Sequence, residues 1–168
     1  MEQKKKRVVI KIGNIFCVEI KNDYKCYFQY VANDWTQLNS TVIRVFKKHY
    51  PMEANPTMEE IVHDEISFYV HAILRIGIAT GAWYKVGTSK ELGDTTNIMF
   101  RIFTDVNYYG TGKTKSYNWY VWRIGDEKRL FVGEMNDSYR KYDLGWVFPY
   151  MEIVAKIETG KFLSILLD

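Results

Sequence analysis

Ile15-Phe16-Cys17-Val18-Glu19-Ile20-Lys21-Asn22-Asp23-Tyr24-Lys25-Cys26-Tyr27-Phe28-Gln29-Tyr30-Val31 decides how this chain folds. Ile15, Cys17 and Glu19 alternate with Phe16, Val18 and Ile20, the two-residue period of a strand with one face in a core. Lys21-Asn22-Asp23 reads as a turn, because Asn and Asp tolerate left-handed backbone and bond their own main chain. The strand pattern resumes over 24–31, with Cys26, Phe28 and Tyr30 on one face. The stretch is therefore a β-hairpin. Residues 41–50, 66–73, 83–86, 97–103, 116–124 and 130–132 repeat its logic. Ile66, Phe68, Val70 and Ala72 share a face, as do Ile98, Phe100 and Ile102. The strand at 116–124 is the most aromatic, with Tyr117, Trp119 and Val121 opposite Tyr120 and Trp122. Thr57 and Glu60 mark a short helix start or turn, and 77–81 reads as a break. One segment has helical spacing: Pro149 opens it, Ile153, Val154 and Ile157 recur, and Gly160 closes it as a left-handed cap. That predicts a helix over 149–159.

Composition agrees with many strands. The chain has 168 residues, 47% apolar and 26% charged, enough for one domain with a real core. Its 13 Tyr, 9 Phe and 5 Trp favour pleated, half-buried surfaces, and only three prolines interrupt them. No repeat of 20–50 residues and no Gly, Ser or Pro linker divides it. The reading is a mainly β (α+β) fold: a single strand-rich domain over 8–168, a barrel-like or strongly bent antiparallel sheet with one C-terminal helix. Residues 1–7 read as a mobile basic arm. The net charge of +3 hides an asymmetry. Residues 1–11 hold Lys4, Lys5, Lys6, Arg7 and Lys11 against Glu2, so the remainder is near neutral. A nucleic-acid partner needs a basic face on the body itself, so none is expected. No apolar run approaches the ~18 residues of a membrane span. No signal-peptide pattern follows the charged start, so a cytoplasmic location is expected.

The candidate chemistries fail on spacing. Gly110-Thr111-Gly112-Lys113-Thr114 looks like the end of a phosphate-binding loop, but Asn107 stands where the first glycine belongs. A strand rather than a helix follows it. His63 and His71 are eight residues apart on a strand-like segment, about 26 Å if extended, too far to share one metal with Asp64 and Glu65. Cys17 and Cys26 flank the hairpin turn and could face one another, but two cysteines are too few for a disulfide scaffold. A nucleophilic Cys needs a helix N-terminus or a cation to lower its pKa, and both cysteines sit in strands of the hairpin. No cofactor, metal or catalytic residue is expected. Two features suit a protein partner. Glu53, Glu59, Glu60, Asp64 and Glu65 form an acidic stretch without Lys or Arg, either a solvated face or a patch for a basic partner. Trp35 beside Asp34 is an aromatic anchor of the kind that dominates interfaces, or a lid on one end of the sheet.

Lys11-Ile12-Gly13-Asn14-Ile15-Phe16, followed by Tyr27-Phe28-Gln29-Tyr30-Val31, resembles the opening of the immunity protein 26 family of bacterial polymorphic toxin systems. Asn14 stands where Asp is more usual. Gly81-Ala82-Trp83 and Thr159-Gly160-Lys161 are similar to later positions, and the likeness is clearest over 11–46. The resemblance implies a strand-rich, non-enzymatic protein that binds a cognate toxin and covers its active site. Asp34, Trp35, Glu59, Glu60, Asp64 and Glu65 are the residues expected at that contact. The competing expectation is a small-molecule-binding barrel or an enzyme, with Trp83, Tyr84, Trp119, Tyr120 and Trp122 lining a pocket. Oligomeric state is not legible in the sequence.

Overall fold

A computed structural model describes residues 8–105 and 115–165. The basic arm at 1–7 and the Gly-Thr-Gly-Lys-Thr stretch at 110–114 lie outside the described residues. The hairpin is present as β1 (Asn14–Ile20) and β2 (Tyr24–Asp34), joined through Lys21 and Asn22 in left-handed backbone. Antiparallel pairing sets Phe16 opposite Phe28 and Cys17 opposite Tyr27. After it come β3 (Ser40–Phe46), β4 (Tyr50–Pro51), α1 (Met58–Val62), β5 (Ile66–Ala72), α2 (Leu74–Thr80) and β6 (Tyr84–Thr88). Then follow β7 (Met99–Phe103), β8 (Trp119–Arg123), β9 (Leu130–Gly133), α3 (Asp137–Arg140), β10 (Asp143–Leu144), β11 (Val147–Phe148) and α4 (Tyr150–Thr159).

The fold is mainly β, as expected, with its strands in two open sheets. The larger runs β11-β5-β3-β2-β1-β6, with β4 also on β2, and the smaller runs β10-β7-β8-β9. Pairing is antiparallel except at β11–β5 and β10–β7, where two-residue strands run parallel. One core joins the sheets: Phe16, Phe28, Ile43 and Val70 of the larger meet Phe103, Trp119 and Leu144 of the smaller, with Ile153 of α4 beside them. The C-terminal helix matches the sequence reading, between Pro149 at its N-cap and a left-handed Gly160.

Three details depart from the sequence reading. The hairpin is buried on both faces: Ile15, Cys17 and Tyr27 pack on Ile61 and Val62 of α1, away from the main core. Cys26 stands opposite Val18 while Cys17 stands opposite Tyr27, so the two thiols point to opposite faces and both are free. Burial raises the Cys17 thiol, and pushes that of Cys26 up to about 12, the reverse of what a nucleophile needs. The break at 77–81 is the end of a helix, α2. Gly77 is required there because a Cβ would lie 2.0 Å from the Trp83 ring, whose indole N–H donates to the Leu74 carbonyl at 3.0 Å.

Candidate partner-binding surface

The first motif of the sequence is architectural. Gly13 takes φ 95°, a backbone that favours glycine, and donates its N–H to the Tyr30 carbonyl at 2.8 Å. Asn14 accepts from the Lys11 N–H and donates to Thr88 Oγ1, both at 2.9 Å. Gln29, wholly buried, donates to the Gly13 and Ser89 carbonyls and accepts from Arg44 Nε at 2.9 Å. Arg44 in turn donates to the Glu91 carbonyl at 2.8 Å. These residues fasten β6 and the segment after it to the hairpin. Buried polar groups of this kind persist only when satisfied, which explains why such residue types stand here.

A register shift in β2 builds the second arrangement. Tyr30 pairs with Ile43 and faces the main core, but the bulge between Tyr30 and Ala32 brings Ala32 opposite Val42. The strand's last residues therefore face a separate core with Val42, Phe100 and Trp122. Asp34 consequently points inward and is 0% exposed. Its Oδ2 accepts from His71 Nε2 and from Trp122 Nε1, each at 2.9 Å. One carboxylate thereby ties β2 and β5 of the larger sheet to β8 of the smaller. Burial alone would raise the Asp34 carboxyl, but the bonds from His71 and Trp122 outweigh it and hold it below the ordinary aspartate value. Oδ1 accepts from the Gln37 N–H at 3.3 Å.

That last bond shapes the loop outside. Gln37 donates to the Asp126 carbonyl at 2.8 Å and accepts from Arg129 Nε at 3.0 Å. Arg129 lies 4.6 Å over the Trp122 ring. The loop after β2 is thus clamped to the β8–β9 turn. Trp35, between the buried acid and the clamp, is 69% exposed. Nearby lies a groove of about 450 Å³ lined by Gln37, Thr104, Tyr120, Glu127, Lys128 and Arg129. The structure thus parts the two residues expected together at a contact. Trp35 faces solvent, and Asp34 is an internal fastener that cannot touch a partner.

The acidic stretch lies elsewhere, on and around α1. Glu59 is exposed. Glu60 closes a capping box with Thr57, its carboxylate accepting the Thr57 N–H at 2.7 Å. Asp64 accepts from the buried Tyr50 hydroxyl at 2.6 Å and stands 3.9 Å from Lys48. Glu65 pairs with Lys47 at 3.1 Å. Much of the charge is therefore committed locally, by Lys47 and Lys48 just outside the stretch. His63 also sits here, its Nδ1 2.7 Å from the Glu59 carbonyl, whereas His71 is buried in β5 rather than on the sheet surface. Among the described residues, no group of three or more His, Cys, Asp and Glu is placed to hold a metal ion.

The five aromatics expected to line one pocket are parted. Trp83, Trp119 and Trp122 are buried in the core, and Tyr84 is exposed and bonds Glu19 at 2.8 Å. Of the five, Tyr120 alone lines the groove beside Arg129, and none lines a second of about 350 Å³ bounded by Ile10, Tyr30, Thr41, Leu74 and Arg75. Sequence reasoning missed Gln37 and Arg129, which carry no motif.

A sequence model of the family described as Immunity protein 26 matches residues 11–113, more than half of the chain. The chain belongs to that family. No match was found among curated proteins or among solved structures. The part matched to Immunity protein 26 holds the hairpin, the Gln29–Arg44 network, Asp34, Trp35, the acidic stretch and His71. Trp122 and the β8–β9 turn, which complete the clamp on Trp35, fall beyond it. In this Immunity protein 26 member the residues that finish the exposed loop therefore lie outside the matched range.

Proposed function

We propose that the chain is a non-enzymatic immunity protein that binds a cognate toxin in the cytoplasm and blocks it sterically, with Trp35 as the central anchor. The observation that carries this reading is the pairing of a 69% exposed Trp35 with a wholly buried Asp34 that fixes its loop. Exposing so large an apolar ring costs solubility, and anchoring the loop that carries it lowers the ordering cost of a contact. Interface hot spots are enriched in such residues. A contact of ~1,600 Å² around it would be enough to cover an active-site cleft. Family membership supports the class of partner, and the exposed Glu59 offers a weak field for steering a basic one.

Co-expression with the toxin domain encoded in the neighbouring reading frame tests the reading. The expected result is restored growth and a complex that co-purifies. Growth arrest with no complex would refute it.

A further inference from the structure

We propose that β9 is an interface between two copies of this chain, paired antiparallel about a two-fold axis at Phe131. The proposal is independent of toxin binding. β9 is the outer strand of the smaller sheet, and among the described residues no strand covers its far side. Leu130 and Phe131 are 59% and 56% exposed, and no residue of Leu130-Phe131-Val132-Gly133 is charged. Sheet edges are normally guarded by charge, by proline or by extreme shortness, because their free N–H and C=O groups recruit other strands. The larger sheet follows that rule. Its outer strand β6 carries Lys85, whose Nζ reaches the Val9 carbonyl at 3.3 Å. The edges at β10 and β11 are two residues long. β9, four residues long, carries neither charge nor proline.

The flanking sequence selects the occupant. Residues 128–134 read Lys-Arg-Leu-Phe-Val-Gly-Glu: cations at one end, a carboxylate at the other, apolar residues between. Lys128 and Glu134 lie in the bends that flank β9, and an antiparallel copy centred on Phe131 brings the cationic flank of each strand towards Glu134 of the other, twice by symmetry. A parallel copy would set like charges together. Opposite charges across a strand pair favour it, and like charges oppose it. Glu134 already pairs with Lys115 at the surface, where both side chains are about half exposed, and it has room for a second cation. The pairing would join the two smaller sheets into one of eight strands. The strand is short and the β8–β9 register shifts beside Val132. The contact therefore belongs with those burying less than about 1,200 Å², and the dimer forms as concentration rises.

Sedimentation of the purified chain over a range of concentrations tests this, with circular dichroism to confirm folding. The wild type should move from monomer to dimer. Lys128→Glu and Glu134→Lys should each remain monomeric, since each sets like charges opposite one another. An equimolar mixture of the two should regain the dimer, because every facing pair is then opposite in sign. Phe131→Lys should remain monomeric. A wild type that is monomeric at its highest soluble concentration overturns the proposal. So does a dimer that survives all three substitutions. Should these variants lose toxin binding while their oligomeric state matches the wild type, the edge belongs to the toxin and the proposal fails.

Discussion

The loop after β2 and the acidic stretch around α1 both join a carboxylate to an aromatic side chain, with opposite orientation. At the loop the acid is inside and a ring is outside: Asp34 is 0% exposed and its neighbour Trp35 is 69% exposed. At α1 the ring is inside and the acid sits at the boundary: the buried Tyr50 hydroxyl donates to Asp64, whose side chain is 12% exposed and stands 3.9 Å from the exposed Lys48. The difference teaches where a charge is structural. Asp34 is the shared acceptor for groups on β5, on β8 and in the loop that follows it. Asp64 keeps a partly exposed side chain and a lysine at 3.9 Å.

Removing each carboxylate is the strongest way to break the comparison. Asp34→Ala leaves His71 Nε2 and Trp122 Nε1 without their acceptor in a dry core. It should cost about 3–5 kcal/mol in urea unfolding. A loss below about 1 kcal/mol would show that the network is not a fastener. Next in size is Asp143, an acid that is also turned inward but has a poorer set of partners. Its Oδ2 accepts the Tyr69 N–H at 2.8 Å, and burial pushes its pKa up to about 6. A folded-state pKa above the unfolded value means that the folded chain binds the extra proton, so this group's contribution to stability rises as pH falls from about 7 towards 4. Asp143→Asn keeps an acceptor for Tyr69 and removes the titration. Its melting temperature should exceed the wild type's above pH 6, with the gap closing by about pH 4. A gap that is constant with pH would contradict the account.

The outward acids should matter least. Asp64→Ala removes one partner of a hydroxyl at the edge of the core and should cost about 1 kcal/mol. Glu59→Gln and Glu65→Gln should stay within about 0.5 kcal/mol, since exposed pairs contribute little. If Glu65→Gln proved as costly as Asp34→Ala, the inside–outside distinction would collapse.

The comparison also shows what was legible in the sequence. Strand alternation marked both strands of the hairpin, and helical spacing between Pro149 and Gly160 marked α4, because each signal is local. The inward turn of Asp34 was not legible. It depends on the bulge between Tyr30 and Ala32, which flips the faces of the last residues of β2 without any local mark. Residues 77–81 read as a break because Gly77 and Gly81 look like punctuation, whereas Gly77 lies inside α2 and answers to the ring of Trp83. β10 and β11 are two residues long and pair in parallel with distant strands, which gives no periodicity to detect. At the proposed contact surface, Trp35 is identifiable by its type beside a turn-forming acid. Gln37 and Arg129 were not, because what they do arises from contacts across about 90 positions of sequence.

The claim that joins these observations is that Trp35 is held ready for a partner and contributes nothing to the fold. Trp35→Ala separates the two, measured as toxin affinity alongside the melting temperature of the free chain. Affinity should fall by roughly 30-fold, the loss of about 2 kcal/mol expected of a hot spot, while the melting temperature stays at the wild-type value. Unchanged affinity, or a melting temperature that falls with it, would contradict the account.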